Sequence, residues 1–306
     1  MRRDDPMRAF AAPALPRARF WIPVAGLALA ELAFDLMWLP VAGLLGEDRV
    51  EGTDAAALTL VLLAYALPVL VLGIWMRTMQ GRGVATLFGP LGRVRSDLLA
   101  TVAGAGAAYV GMTVLLAFLP VELPAEGADA GAGGTIRPFA GWLAVVPIAA
   151  VAILVQSSAE ELIFRGYMMQ ELFARFRSRA VWMGVPALLF GAVHFVNGTS
   201  AADGLFYAIW ATALGLACGD LVARTGSMGA AIGLHWVNNI FAMLFFGTED
   251  AVDSGYALFL SPPAEPSGLP DPGVGAFFTG QNVLDLALAL VWVGNLWLGA
   301  RIALRR

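Results

Sequence analysis

The chain has 306 residues, of which 59% are apolar and only 14% charged, and its formal net charge is −4. Its mean hydropathy is +0.74. Soluble globular domains carry about 25% charged residues, so a soluble core is excluded and a membrane protein is indicated.

A helix that crosses a bilayer needs roughly 20 mostly apolar residues. In chain order such runs are predicted at Phe20–Leu45, Ala56–Arg77, Asp97–Leu119, Phe139–Phe173, Ala180–Val196, Gly204–Ala223, Met228–Phe246 and Asn282–Leu304. The expected fold is therefore all-α, a polytopic bundle of about eight transmembrane helices. The run from Phe139 exceeds one span, so its end is expected to project or bend. Basic residues precede the first helix, as in a signal peptide. Its apolar run is longer than a signal core and is interrupted by Glu31 and Asp35, which favours a retained span. Cys218 is the sole cysteine and says nothing about compartment.

Cytoplasmic loops of membrane proteins collect basic residues. The sequence has no lysine, so arginine alone reports orientation. Arg2, Arg3, Arg8, Arg17 and Arg19 precede the first helix, and Arg77, Arg82, Arg93 and Arg95 fill the second loop. Arg175, Arg177 and Arg179 mark the fourth loop, Arg224 the sixth, and Arg301, Arg305 and Arg306 the end of the last helix. The alternate loops are acidic: Glu47, Asp48, Glu51 and Asp54; Glu122, Glu126 and Asp129; and Glu249, Asp250, Asp253, Glu265 and Asp271. Only Arg49 and Arg137 break the pattern. Eight crossings with both termini cytoplasmic satisfy every loop. Residues 1–19 read as a cytoplasmic arm and 20–306 as one helical membrane domain. The stretches Glu126–Thr135 and Ser261–Gly275 have linker composition.

Ionisable groups at bilayer depth cost about 2.5–3.5 kcal/mol each and mark functional sites by default. The two histidines of the chain, His194 and His235, both fall in apolar runs, as do Glu160, Glu161 and Arg165. Residues four apart share a helix face, so Glu161 is placed to pair with Arg165, Phe190 to lie with His194, and His235 with Asn239. Adjacent residues are turned by about 100°. Glu160 and Glu161 should therefore face different directions, one tied to arginine and the other free to handle protons. Counting from Arg175–Arg179, which closes a helical hairpin, Glu160 and His194 lie at similar depth.

These residues form Glu-Glu-x-x-x-Arg (Glu160, Glu161, Arg165), Phe-x-x-x-His (Phe190, His194) and His-x-x-x-Asn (His235, Asn239), in order and on successive segments. The pattern resembles the CAAX prenyl endopeptidase type II group, the CPBP or Abi family of intramembrane proteases, over roughly residues 138–246. The resemblance implies a peptidase that trims prenylated CAAX substrates, or a relative with other substrates. It implies that Glu160 and His194 activate water and that His235 and Asn239 stabilise the oxyanion, with Glu161, Arg165 and Phe190 in support. It leaves open whether a divalent metal such as zinc takes part, in which case Glu160, His194 and His235 are its expected ligands. The chemistry agrees with the residue types: a positioned carboxylate takes a proton from water and returns it as an acid, and polar donors meet the developing oxyanion.

The implied partners are membrane lipid and a membrane-associated, prenylated or unprenylated, peptide or protein, with no nucleic acid. The implied location is a prokaryotic plasma membrane with the site open to the cytoplasm. Two other classes fit the same polar set less well: a catalytically idle scaffold or bacteriocin-immunity-type protein, and a proton-coupled transporter, for which no internal repeat is visible. Outside the motifs, Glu31, Asp35 and Asp285 are read as inward-facing structural groups or as lying near an interface. Asp220 and Asn238 are read as structural, and Met168–Phe176 as an amphipathic stretch at the membrane surface.

Overall fold

The computed structural model describes residues 6–16, 19–46, 54–118, 134–249, 251, 254–262 and 273–306. Most of the acidic loop residues, and most of both linker-like stretches, lie outside these residues. Among the described residues, eight helices are long and apolar enough to cross a membrane: α1 (Trp21–Leu45), α2 (Ala55–Gln80), α3 (Leu91–Ala117), α4 (Phe139–Arg175), α5 (Ala180–Asn197), α6 (Ala201–Thr225), α7 (Met228–Phe245) and α8 (Gly280–Leu304). Each agrees with the apolar run that predicted it to within a few residues, except that α3 starts earlier, at Leu91. The protein is a polytopic, all-α membrane protein.

Helix ends follow local chemistry. Asp54, Ser200, Ser227 and Thr279 each accept a backbone N–H through their side chains at the starts of α2, α6, α7 and α8, which satisfies donors that a helix start leaves unpaired. Gly226 ends α6 with φ +67°, a left-handed conformation that glycine adopts without penalty. The turn places Ser227 and α7 directly after α6.

Small residues let the helices meet at backbone distance, the usual means of association where lipid and side chain are equally apolar. Gly104 of α3 and Gly299 of α8 face each other. A Cβ on Gly104 would come within 2.3 Å of the Gly299 carbonyl oxygen, and one on Gly299 within 2.4 Å of the Gly104 oxygen. Nearby, Tyr109 of α3 stacks on Phe241 of α7 with ring centroids 3.6 Å apart, and Trp292 of α8 lies 4.7 Å away. Gly191 of α5 seats Thr212 of α6, and Gly229 of α7 seats the Val94 carbonyl of α3.

Both ends of the bundle are closed by elements that the apolar pattern did not predict. At the arginine-rich end, the segment read as an arm contains a helix, Pro6–Ala11, whose Met7 and Phe10 are buried. It packs against Gly226 and Gly89. At the opposite end three short strands form a sheet in the order β1 (Thr135–Ile136), β3 (Phe259–Ser261), β2 (Phe246–Thr248), the first pair antiparallel and the second parallel. Arg137, an exception to the charge pattern, donates to the carbonyls of Gly255 and Ser254 at this end. Tyr256 is buried there and its hydroxyl is 2.6 Å from Thr59 Oγ1.

Glu31 and Asp35 are exposed on α1, which excludes the inward-facing one of their two expected placements, because the helix buries its small side, Gly26 and Ala30, instead. Met168–Phe176 is not an open amphipathic face. Met168, Met169, Gln170, Glu171 and Ala174 are buried, since the chain after α2 folds over them. Arg82 from that segment donates to Gln80 Oε1 (2.7 Å), Gln170 Oε1 (2.7 Å) and Glu171 Oε1 (2.6 Å). Burial pushes the Arg82 guanidinium below its ordinary pKa, against the opposing pull of Glu171. Asp285 is exposed and accepts from Gln281. Asp220 Oδ2 accepts from Arg224 and Trp297.

Candidate active site

The polar residues of the motifs meet between α4, α5 and α7. Helix α4 enters with Pro147 in its middle. It changes to the wider π geometry at Leu162–Met168, immediately after Glu161. Such bulges recur at functional sites because they redirect the side chains that follow. Helices α4 and α7 run antiparallel and exchange polar contacts like rungs. Trp142 Nε1 donates to the Leu244 carbonyl (2.9 Å) and Trp236 Nε1 to that of Ala150 (2.9 Å). Asn239 reaches Gln156, and His235 reaches the two glutamates.

His235 is the centre of the arrangement. It is 2% exposed, with Nδ1 2.9 Å from Glu161 Oε1 and Nε2 3.5 Å from Glu160 Oε2. The adjacent carboxylates were expected to face apart. They instead reach opposite nitrogens of one ring, because the imidazole sits across the angle between them. The expected division between them survives in burial: the Glu161 side chain is 0% exposed and that of Glu160 15%.

Glu161 is also paired with Arg165, Nη1 to Oε1 3.1 Å, as the spacing predicts. Arg165 is buried. Its guanidinium lies 4.2 Å over the Phe190 ring, and its Nε approaches the Gly215 carbonyl at 3.4 Å. A Cβ at position 215 would fall 2.6 Å from Arg165 Nη2, so Gly215 makes the room this arginine needs. Two opposite charges removed from water hold only when they are paired closely. Here the carboxylate has two partners and the guanidinium an aromatic face.

His194 lies where α5 tightens into its last turn, His194–Asn197. Its Nδ1 is 2.7 Å from the Phe190 carbonyl oxygen. A carbonyl only accepts, so Nδ1 carries the proton and Nε2 is left to accept one. The Phe190 ring contacts both imidazoles, with centroids 4.3 Å from His194 and 5.7 Å from His235. It fixes one wall between them. Glu160 and His235 both lie within electrostatic reach of His194.

Asn239 Nδ2 donates to Gln156 Oε1 (2.9 Å) and lies 3.4 Å from Ser157 Oγ, and its Oδ1 accepts from Asn238 Nδ2 (3.0 Å). Gln156, Ser157 and Gly215 were not singled out in the sequence. The signal for the first two was present: polar residues at i−4 from Glu160 and Glu161 in an otherwise apolar span. Gly215 had none.

No group of three or more His, Cys, Asp or Glu among the described residues is disposed to hold a metal ion. What the donors do form is an acid–base cluster: two carboxylates, two imidazoles and a guanidinium in a helical membrane bundle.

Such a bundle with such a cluster defines the class, an intramembrane protein built around a buried Glu/His centre. Residues 141–241 match the family model described as Type II CAAX prenyl endopeptidase Rce1-like. The match encloses all seven motif residues. An uncharacterized protein of Bacillus subtilis (strain 168), YyaK, is 30% identical over 115 residues, covering 37% of this chain and 38% of that protein. The chain thus spans well under half the length of this curated relative. No solved structure matches it significantly.

Proposed function

We propose that this protein is an intramembrane endopeptidase in which Glu160 and His194 activate water for attack on a peptide carbonyl. The observation that carries this reading is His235 held between Glu161 and Glu160, at 2.9 and 3.5 Å, with the proton-accepting Nε2 of His194 across the Phe190 ring. A scaffold or immunity-type protein has no use for an acid–base cluster maintained at this desolvation cost.

In this reading Glu160 takes a proton from water as the water oxygen bonds to the carbonyl carbon, and His194 Nε2 orients that water. The carbonyl electron pair moves onto oxygen, where His235 Nε2–H and a carboxamide meet it. Glu160 then returns the proton to the amide nitrogen as the C–N bond breaks. Glu161 and Arg165 hold His235 in position. The substrate class is a membrane-associated peptide, with a prenylated C-terminal CAAX segment the first choice. Entry is from the arginine-rich end, taken as cytoplasmic, in a prokaryotic plasma membrane, with residues 20–306 acting as one membrane domain.

The test is to incubate the purified full-length protein in lipid nanodiscs with a farnesylated CAAX peptide, with and without chelator, and to read the products by mass spectrometry. Release of the last three residues by wild type and not by Glu160→Gln is expected. Equal cleavage by both would overturn the assignment of Glu160.

A further inference from the structure

Helix α8 has two distinct sides at the arginine-rich end of the bundle. Its small side packs on α3, where Gly104 meets Gly299 and Ala303, and Gly299 meets Ala108. Asn295 donates to the Ala108 carbonyl, so the two helices run antiparallel. Leu298, Arg301, Ile302 and Arg305 share another face, at spacings of three and four, and Leu298 and Ile302 are exposed. With Arg306 these four line an open groove of about 370 Å³.

The backbone brings the third arginine back onto this face. Arg305 has φ +54° and is the one non-glycine residue in the left-handed region among the described residues. The helix ends there, and the Arg306 N–H turns to the Arg301 carbonyl at 3.2 Å. Arg301 Nε in turn donates to the Arg306 carbonyl at 3.0 Å, and its guanidinium lies 4.8 Å over the Trp297 ring. Trp297 is itself fixed by its bond to Asp220.

The charge of the groove is not balanced from within. Arg82, Arg165, Arg175 and Arg224 each pair with a carboxylate. Among the described residues, Arg301, Arg305 and Arg306 pair with no Asp or Glu side chain. The guanidinium fork matches phosphate oxygens. Leu298 lies roughly 10 Å before Arg305 along the helix, at 1.5 Å per residue. Apolar surface toward the bilayer and guanidinium groups at its edge repeat the polarity of a phospholipid, and basic pockets of this kind take anionic headgroups.

We propose that this groove binds one anionic phospholipid of the surrounding bilayer, its phosphate held by Arg301, Arg305 and Arg306 and an acyl chain laid along Leu298 and Ile302. The site makes no use of the Glu/His centre, and its test needs no cleavage.

Native mass spectrometry of the purified full-length protein in detergent, titrated with phosphatidylglycerol or with phosphatidylcholine of the same chains, reads the site directly. Wild type is expected to retain one phosphatidylglycerol in preference to phosphatidylcholine. Arg301→Gln/Arg305→Gln/Arg306→Gln should weaken phosphatidylglycerol binding on the order of 100-fold, from roughly fivefold per arginine. Arg177→Gln/Arg179→Gln removes charge from exposed positions at the same end and should bind like wild type. Monodisperse elution and an unchanged melting midpoint are the controls for folding. If the triple variant does not fold, Arg305→Gln decides alone, with a loss of about fivefold expected. Equal retention of both lipids by wild type, unchanged binding in a folded groove variant, or the same loss in the Arg177/Arg179 control overturns the site. Glycerophosphoglycerol, the headgroup without its chains, is added in competition at the lipid concentration. The lipid is expected to stay bound; its displacement would mark a site for free phosphate esters and overturn the lipid assignment.

Discussion

The Nδ1 of His235 stands 2.9 Å from Oε1 of Glu161, and the Glu161 side chain has no exposed surface. That oxygen also takes the Arg165 guanidinium at 3.1 Å, so one buried atom organises an imidazole from α7 and an arginine from its own helix. Glu160, the next residue, is left to the other nitrogen of the ring. The buried pairing thus falls to Glu161 and leaves Glu160 more open, and variants at the two positions should behave differently.

Glu161→Ala should cost stability first. Removing one partner of a buried pair strands the other charge, at about 3–5 kcal/mol, and here Arg165 would be stranded while His235 loses its anchor. Thermal unfolding in detergent micelles checks this, with a midpoint far below wild type expected.

Glu160→Gln and His194→Ala should leave that midpoint near the wild-type value and remove cleavage. Glu160 is partly exposed and reaches His235 Nε2 only at 3.5 Å, so little folding energy rests on it. A large loss of thermal stability in Glu160→Gln would move this residue from proton handling to structure.

Gly299→Leu should unfold the α3–α8 seam. The added carbon has no free volume, because the Gly104 carbonyl oxygen lies 2.4 Å from the ideal Cβ position and backbone cannot yield as a side chain can. Overpacking typically costs about 1–3 kcal/mol, and a bulky chain against backbone should reach the top of that range. Gly294→Leu, on the same helix with nothing near its Cβ position, is the control and should elute and melt like wild type.

Arg82→Met should loosen the end of α4. It deletes three hydrogen bonds, to Gln80, Gln170 and Glu171. Glu171 keeps Arg175 as a partner, so the expected loss is about 3 kcal/mol, the low end for a broken buried pair. Faster amide hydrogen exchange confined to residues 162–175 is the readout.

Tyr256→Phe should cost about 0.5–1.5 kcal/mol, the net value of the hydrogen bond to Thr59. Burial raises the pKa of the Tyr256 phenol, with the Thr59 bond opposing. A raised folded pKa means that the stabilisation is complete below the unfolded value of about 10 and is lost as pH rises through the folded value. The stability gap between wild type and Tyr256→Phe should therefore be flat up to about pH 10 and shrink above it. A gap that shrinks instead toward acid pH would contradict this sign.

The helix spacing of four was enough to place Glu161 with Arg165, and Phe190 with His194, before any coordinates, because both are contacts within one helix. Contacts between helices were not legible in the same way. Glu160 and Glu161 appeared divergent on a helical wheel, yet both reach His235, whose position depends on how α7 crosses α4. Glu31 and Asp35 could be read as inward-facing or as near an interface, and only the packing of α1 through Gly26 and Ala30 excludes the first. The small sheet escaped notice because two- and three-residue strands carry no periodic signal.

Eight spans, the odd–even distribution of arginine and the motif residues were determined by sequence alone, since bilayer thickness and helix period act on each segment separately. Which side chains meet across helices, and which glycine must stay bare, were decided only by tertiary structure. Those outcomes depend on close approach between helices distant in the chain, a distance that no single segment encodes.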